Sequence, residues 1–361
     1  MVNVVDIEDA YKTYALRDAA AITKDLLKWW DRGHRSMPWR RESTEPVTTA
    51  ERTTWAYRVW VSEVMLQQTQ VSRVAPYFER WMAKWPDVHA LAAAPEEDVQ
   101  ALWSGLGYYR RCKFLREGAA ALAAPGAQWP TTRADWLKVK GVGPYTAAAV
   151  SSIVYGEACP VVDGNVVRVV SRLAACGVAP SSTVGAKLWW RLAAQLVPAD
   201  ATRPGDANQA MMELGATVCA PRAPRCEACP VAAHCAGLAL QTAETEAYAA
   251  CQRYEKPFLV TDLPEKEKKA PKRVENVCVR VLEARVSVSR ESGNESGDEE
   301  EHVGYLLTKR PEGGLLGGLW EFPSATAADS DDAMDETGQL ASFCLEVAET
   351  TCLLYTSPSP R

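Results

Sequence analysis

Apolar residues recur at helical spacing through most of the first 240 positions, and the breaks between runs fall at glycine and proline. The pattern predicts helices over Ala20–Trp30 (ended by Gly33), Tyr57–Gln70, Val74–Trp85, Pro95–Trp103, Cys112–Ala123, Ser182–Leu196 and Gly205–Thr217. In the second of these, Trp60, Val61, Val64 and Met65 make a buried face. Residues 42–54 are polar and read as a solvated insertion. Thr131 and Thr132 offer N-caps to a short helix carrying Trp136, Leu137 and Val139. Lys140-Gly141-Val142-Gly143 breaks that helix, and Pro144 takes the first position of the next, Tyr145–Tyr155, which Gly156 closes. An apolar stretch, Cys159-Pro160-Val161-Val162, then delivers Asp163-Gly164-Asn165 onto a third helix, Val166–Ala174. Strand-like alternation is almost absent before residue 270, so an all-α bundle is expected. From Asn276 the period changes to two (Val277, Val279, Val281), followed by acidic Glu291–Glu301, Tyr305-Leu306-Leu307 and Gly313–Pro323. A smaller part-β segment is expected there, behind a linker over residues 241–273.

A formal net charge of −6 argues against a nucleic-acid partner until the chain is divided. Residues 1–240 carry 27 Lys and Arg against 23 Asp and Glu, and the remainder 13 against 23. A basic front and an acidic rear fit a DNA-reading catalytic domain followed by a tail. No apolar run reaches the length of a membrane span, and the first residues lack the regions of a signal peptide. A soluble, intracellular protein with no membrane partner is expected.

The glycines around Val142 leave backbone N–H groups uncovered at a helix start, a natural phosphate site formed by Gly141, Val142 and Gly143. An ordinary helical hairpin would use the same glycines for the turn alone. Asp163 reads first as an N-cap, yet a carboxylate at the mouth of that unit could stabilise positive charge on a sugar. Glu63 sits among apolar neighbours; glutamates are usually exposed or paired, but a buried one has a raised pKa and becomes a usable proton donor. Gln67-Gln68-Thr69 suit either a base edge or a helix end. In Ser104–Arg111 the glycines give a tight loop whose tyrosines could intercalate and whose arginines could hold phosphate; the plainer alternative puts one tyrosine in the core. The eleven cysteines, odd in number and in an unsignalled helical chain, do not form a disulfide framework. Four cluster as Cys219-x6-Cys226-x2-Cys229-x5-Cys235, with only one close pair where zinc usually takes two. Four thiolates in a compact loop suit a 4Fe–4S cluster acting as a structural clip.

Met37–Arg40, Val61–Gln70, Gly105–Tyr109, Gly141–Thr146, Val162–Val166, Gly205–Gly215 and the four cysteines, in that order, cover nearly all of residues 20–240. Together they resemble the helix-hairpin-helix DNA glycosylases of the endonuclease III-like superfamily, and within it the MutY-type adenine DNA glycosylases of eukaryotic kind. The resemblance implies a glycosylase domain over 1–240, with its 4Fe–4S loop at 219–235. It implies that Glu63 protonates N7 of a flipped-out adenine while Asp163 opposes the oxocarbenium-like charge at C1′. Asn165 and Tyr145 would orient the carboxylates and water. Trp39, Arg40 and Glu213 correspond to the adenine pocket; Gln68 and Tyr108 correspond to residues that fill the duplex and meet the orphaned 8-oxoguanine or guanine, and Leu106 is expected to bind substrate beside them. Where lyase-active relatives carry an attacking lysine, this chain has Tyr145, and Val166, Val167 and Arg168 follow the Asp-Gly-Asn. A monofunctional enzyme is therefore expected; a bifunctional pyrimidine glycosylase/AP lyase and a non-catalytic DNA-binding protein are the alternatives. Arg310–Pro323 resembles the family's Nudix-like C-terminal domain, so a partial α+β Nudix-like domain is expected over 274–350, with a low-complexity tail at 351–361. The implied partners are double-stranded DNA bearing adenine opposite 8-oxoguanine or guanine, and repair or replication proteins along the linker. A monomer is expected, in the nucleus or also the mitochondrion, with Lys266–Arg273 either solvated linker or import signal.

Overall fold

The structure is a computed structural model that describes residues 14–41, 47–242 and 258–265, with short stretches between 277 and 326 and at 353–356. The charged run Lys266–Arg273, most of the acidic stretch at Glu291–Glu301 and residues 313–319 lie outside the described residues. The chain divides into two compact units between Lys268 and Lys269.

The first unit is helical: α1 (Ala19–Arg32), α2 (Thr49–Leu66), α3 (Val71–Lys84), α4 (Val88–Ala92), α5 (Glu96–Trp103), α6 (Arg110–Ala123), α7 (Arg133–Trp136), α8 (Pro144–Tyr155), α9 (Gly164–Leu173), α10 (Thr183–Leu196), α11 (Pro204–Thr217) and α12 (Ala236–Thr242). None is long and apolar enough to cross a membrane. Helix α2 corrects the sequence reading at both ends. It starts inside the stretch read as a solvated insertion, because Thr48 and Glu51 form a capping box: Glu51 N–H donates to Thr48 Oγ1 at 3.3 Å and Thr48 N–H to Glu51 Oε2 at 2.8 Å. It stops at Leu66 rather than Gln70, since Gln68 takes φ 56°, in the left-handed region.

Two apolar cores lie within this unit. One gathers α2, α3, α5, α6 and α7 around Trp60, Trp81, Trp103 and Trp136, all fully buried. Their rings meet at angles, Trp60 to Trp136 at 5.7 Å and Trp81 to Trp103 at 5.7 Å. The other gathers α1, α9, α10 and α11 around Ile22, Leu26, Val170, Leu188, Leu192 and Leu214. The alanine-rich α8 is buried from Thr146 to Ser152, and small side chains let its neighbours approach closely. The short α7, capped by Thr132, turns through Gly141 (φ 77°) and buried Val142 into α8, whose first residue is Pro144. After α11 come two short turns, Cys226–Ala228 and Ala232–His234, and then α12. Part of the stretch read as linker belongs to this unit: Phe258 and Leu263 are buried, and the Leu263 carbonyl accepts from Arg172 Nε at 3.2 Å.

The second unit holds β1 (Val277–Val279), β2 (Glu283–Val288), β3 (Glu300–Lys309), β4 (Trp320–Glu321), β5 (Ser324–Thr326) and β6 (Leu353–Thr356). β1 pairs with β5; β3 pairs antiparallel with β2, β4 and β6. Leu353–Thr356, within the stretch read as a low-complexity tail, lies in register with Gly304–Leu307 and joins this sheet.

Candidate active site

Burial of α2 carries Glu63 into the protein, where it is 5 % exposed. Its carboxyl is pushed up to about 7, first by loss of water and further by the negative charge of Asp163, while the Tyr145 hydroxyl and the Arg40 charge pull the other way. Tyr145, one residue inside α8, donates its hydroxyl to Glu63 Oε2 at 2.6 Å and touches Met212 Sδ at 3.4 Å. Asp163 caps α9: Val166 N–H donates to Oδ1 at 2.7 Å and Asn165 Nδ2 to Oδ2 at 2.8 Å. Burial raises the Asp163 pKa, and these two donors oppose the shift by favouring the carboxylate. Behind Asn165 stands Arg168, which donates to Asn165 Oδ1 at 2.8 Å and to the carbonyls of Gly215 (2.7 Å) and Cys219 (2.8 Å). Helix α11 presses close here, for a Cβ on Gly215 would lie 2.6 Å from Asn165 Cβ.

Glu63, Tyr145, Asp163 and Asn165 line one cleft of about 1570 Å³, together with Trp39, Arg40, Gln68, Gly143 and Glu213. That exceeds the volume of about 300–1,000 Å³ usual for a small-molecule pocket and suits part of a polymer. Trp39 is buried against Phe78 in the first core. Glu213 on α11 accepts from Arg35 at 2.5 and 3.0 Å and from Arg40 at 3.0 Å. Burial works to raise its pKa, but the two guanidinium groups outweigh it and hold the carboxyl below the usual range. Arg40 also lies 4.7 Å over the Trp30 ring. Arg35, which sequence reasoning passed over, thus belongs to the same cluster.

Gly141 and Val142 lie outside the cleft lining, on the hairpin beside it, and Gly141 packs on Phe114. Tyr108 is 60 % exposed with φ 48° on the loop between α5 and α6. Leu106 needs correction as a substrate-binding residue. It is 5 % exposed and packs into the tryptophan core, because its N–H closes a turn onto the Trp103 carbonyl at 3.0 Å and points the side chain inward. Arg111 also differs from its expected phosphate role: its guanidinium donates to the carbonyls of Val64, Met65 and Gln67 at 2.6–3.1 Å.

Cys219, Cys226, Cys229 and Cys235 line a second, small cavity, and none is in a disulfide. Arg172, buried beneath them, donates to the Cys219 sulfur at 3.3 Å and to the carbonyls of Ala220 and Pro221 at 2.8 and 3.1 Å. Four free thiols around a cavity with a cation behind them fit an anionic thiolate-bound group. Among the described residues, no group of three or more His, Cys, Asp or Glu converges on a single metal ion.

A glycine hairpin beside a cleft that holds a buried acid and a helix-capping carboxylate makes the helical unit a helix-hairpin-helix protein. The model of the HhH-GPD superfamily, described as base excision DNA repair protein, matches residues 61–193. Adenine DNA glycosylase of Arabidopsis thaliana is 41 % identical over 347 residues, 91 % of this chain and 50 % of its own length. Adenine DNA glycosylase of Schizosaccharomyces pombe is 36 % identical over 330 residues, 86 % of this chain and 71 % of its own. A solved thermostable thymine-DNA glycosylase superimposes with TM-score 0.52 at 26 % identity, over 61 % of this chain and 96 % of that one. The chain belongs to the adenine DNA glycosylase family. It spans half the length of the Arabidopsis relative.

Proposed function

We propose that this chain is a monofunctional adenine DNA glycosylase that hydrolyses the N-glycosidic bond of adenine lying opposite 8-oxoguanine or guanine in duplex DNA. The observation that carries this reading is the pairing, in one cleft, of a buried glutamic acid poised near neutrality with a carboxylate on a helix N-terminus. With its pKa near 7, Glu63 holds its proton on a substantial fraction of molecules at neutral pH, as a general acid requires. Extruded adenine receives that proton at N7 and becomes a better leaving group. Positive charge then develops at C1′, where Asp163 opposes it; the Val166 N–H, the Asn165 amide and the helix dipole favour its anionic form. Tyr145 holds the Glu63 carboxyl in place; adenine leaves with the proton from Glu63, and a water bonds through oxygen to C1′ and gives a proton back to the Glu63 carboxylate. Glu213, fixed by Arg35 and Arg40, offers the adenine edge a rigid polar wall.

The lyase alternative needs an amine nucleophile. No lysine is found among the described residues lining the cleft, and Tyr145 occupies the position that matters. The test uses duplexes carrying adenine opposite 8-oxoguanine, guanine or thymine, developed with alkali, beside borohydride trapping on abasic DNA. Alkali-dependent cleavage at adenine without a trapped adduct is expected. Efficient trapping, or no release of adenine from any duplex, would overturn the reading.

The same reading gives Cys219, Cys226, Cys229 and Cys235 a 4Fe–4S cluster, supported by four unbridged thiols around a cavity backed by Arg172. When bound, the cluster clips the loop into shape, and the chemistry at the sugar is left to the side chains of the cleft. Elemental analysis of the purified chain separates iron with sulfide, as expected, from zinc. A nuclear location belongs to the same reading and is tested by cell fractionation.

A further inference from the structure

The two residues with a duplex-filling role by resemblance both hold left-handed backbone, Gln68 (φ 56°) and Tyr108 (φ 48°). Such backbone is unfavourable for residues other than glycine and persists only where surroundings enforce it. One side chain reaches both. Arg111 donates to the carbonyl of Gln67, immediately before Gln68, at 2.6 Å, and to Thr69 Oγ1, immediately after it, at 3.5 Å. The same guanidinium donates to the carbonyls of Leu106 and Gly107, immediately before Tyr108, at 3.3 and 3.1 Å. Its backbone N–H bonds the Tyr108 carbonyl at 2.9 Å, and its charged carbon lies 5.4 Å over the Tyr108 ring. The loop is fastened from its other side by α3, where Tyr77 donates to the Ser104 carbonyl at 2.8 Å and Arg73 to that of Gly105.

We infer that Arg111 is a positioning residue that fixes Gln68 and Tyr108 as one two-pronged wedge, so that both enter the duplex together as the adenine leaves it. The inference rests on the proposed function and on the duplex-filling role that the sequence resemblance implies for those two residues. Each prong alone is a strained turn on a different segment. A planar fork with five donors ties both turns to one rigid group, whereas an ammonium holds its donors at a single point and cannot span both.

The test is a double-mutant cycle on the whole 361-residue chain. The probe is a duplex with adenine opposite 8-oxoguanine and 2-aminopurine beside the mispair, whose fluorescence rises when the stack opens. Arg111→Lys is expected to abolish most of that rise at saturating protein and to slow single-turnover adenine release about tenfold, within the couplings seen between residues that share partners. In otherwise unaltered protein, Gln68→Ala and Tyr108→Ala should each reduce the rise. In the Arg111→Lys background, either change should add less than about twofold, because the wedge is already lost. Helical content and melting temperature are followed in parallel, and Arg73→Gln serves as a second variant that loosens only the Tyr108 loop. Additive losses at Gln68 and Tyr108 in the Arg111→Lys background would overturn the inference. So would a wild-type fluorescence rise in Arg111→Lys. If Gln68→Ala and Tyr108→Ala have no effect even with Arg111 present, the wedge role itself is wrong and the inference falls with it.

Discussion

Glu63 sets the pH behaviour of the proposed reaction. As a proton donor with its pKa pushed up to about 7 it should lose activity as pH climbs through that value. The Tyr145 hydroxyl, by donating to the carboxylate, favours the charged form. Tyr145→Phe should therefore move the descending limb of the single-turnover profile to higher pH, and a limb that moved down would contradict the assignment. Asp163→Asn removes a charge that raises Glu63, so its limb should move down while the maximal rate falls by about a hundredfold or more. The same shift bears on stability. Because the folded pKa lies above the ordinary 4.5, the neutral acid is favoured in the fold, and its contribution is complete below about 4.5 and lost as pH rises through about 7. The amount is on the order of 3 kcal/mol for a group so fully buried. Glu63→Gln should flatten this dependence, gaining melting temperature over the unaltered protein as pH rises from about 5 to about 8. Glu63 and Asp163 could be picked out from the sequence because each lies in a long local pattern, an apolar helix face and a capped turn. Arg35 and Arg111 could not be read in these roles. Arg35 meets Glu213 across 178 residues, and Arg111 meets Gln67 across 44, so neighbouring letters say nothing of the partner.

The hairpin carrying Gly141 lies outside the cleft lining whereas α11 packs on Asn165, and a methyl group on each separates binding from chemistry. Gly141 has φ 77°, and a Cβ there would lie 2.5 Å from Phe114 Cβ. Gly141→Ala should distort the turn proposed to hold a DNA phosphate and weaken duplex affinity about tenfold, while the rate at saturating protein changes by less than about threefold. Gly215→Ala acts the other way. Its new methyl pushes on Asn165, so single-turnover release should slow with little change in affinity. Equal effects of both substitutions on the same parameter would refute this division. Helix types were readable from apolar periodicity, and the hairpin with its flanking caps was readable from glycine, proline and threonine. The ends of α2 were not: a capping box made polar letters helical, and a left-handed Gln68 ended a run that periodicity would have continued.

Basic and acidic residues divide unevenly along the chain, and so do its two units, helical before residue 269 and strand-bearing after it. A fragment of residues 1–268 keeps both cores, the cleft and all four loop cysteines. It should fold, bind iron and release adenine, but discriminate less between 8-oxoguanine and guanine opposite it than the longer chain does, because it lacks Arg310–Pro323, whose resemblance to the Nudix-like domain implies recognition of the oxidised guanine. Competition between the two duplexes measures this. The expectation that the rear carries strands came from its period of two; that residues 353–356 join β3 did not, since four residues beside a Ser/Pro run carry no period to read.

The two apolar cores of the helical unit have a thermal corollary. Glu63 rides on a helix of the tryptophan core, whereas Asp163 and Glu213 ride on helices of the aliphatic one. A slide of these halves past one another, across the α8 that packs on both, would part acid from anion before either half melts. Catalysis in such a molecule should fade reversibly some degrees below the temperature at which its helices unravel.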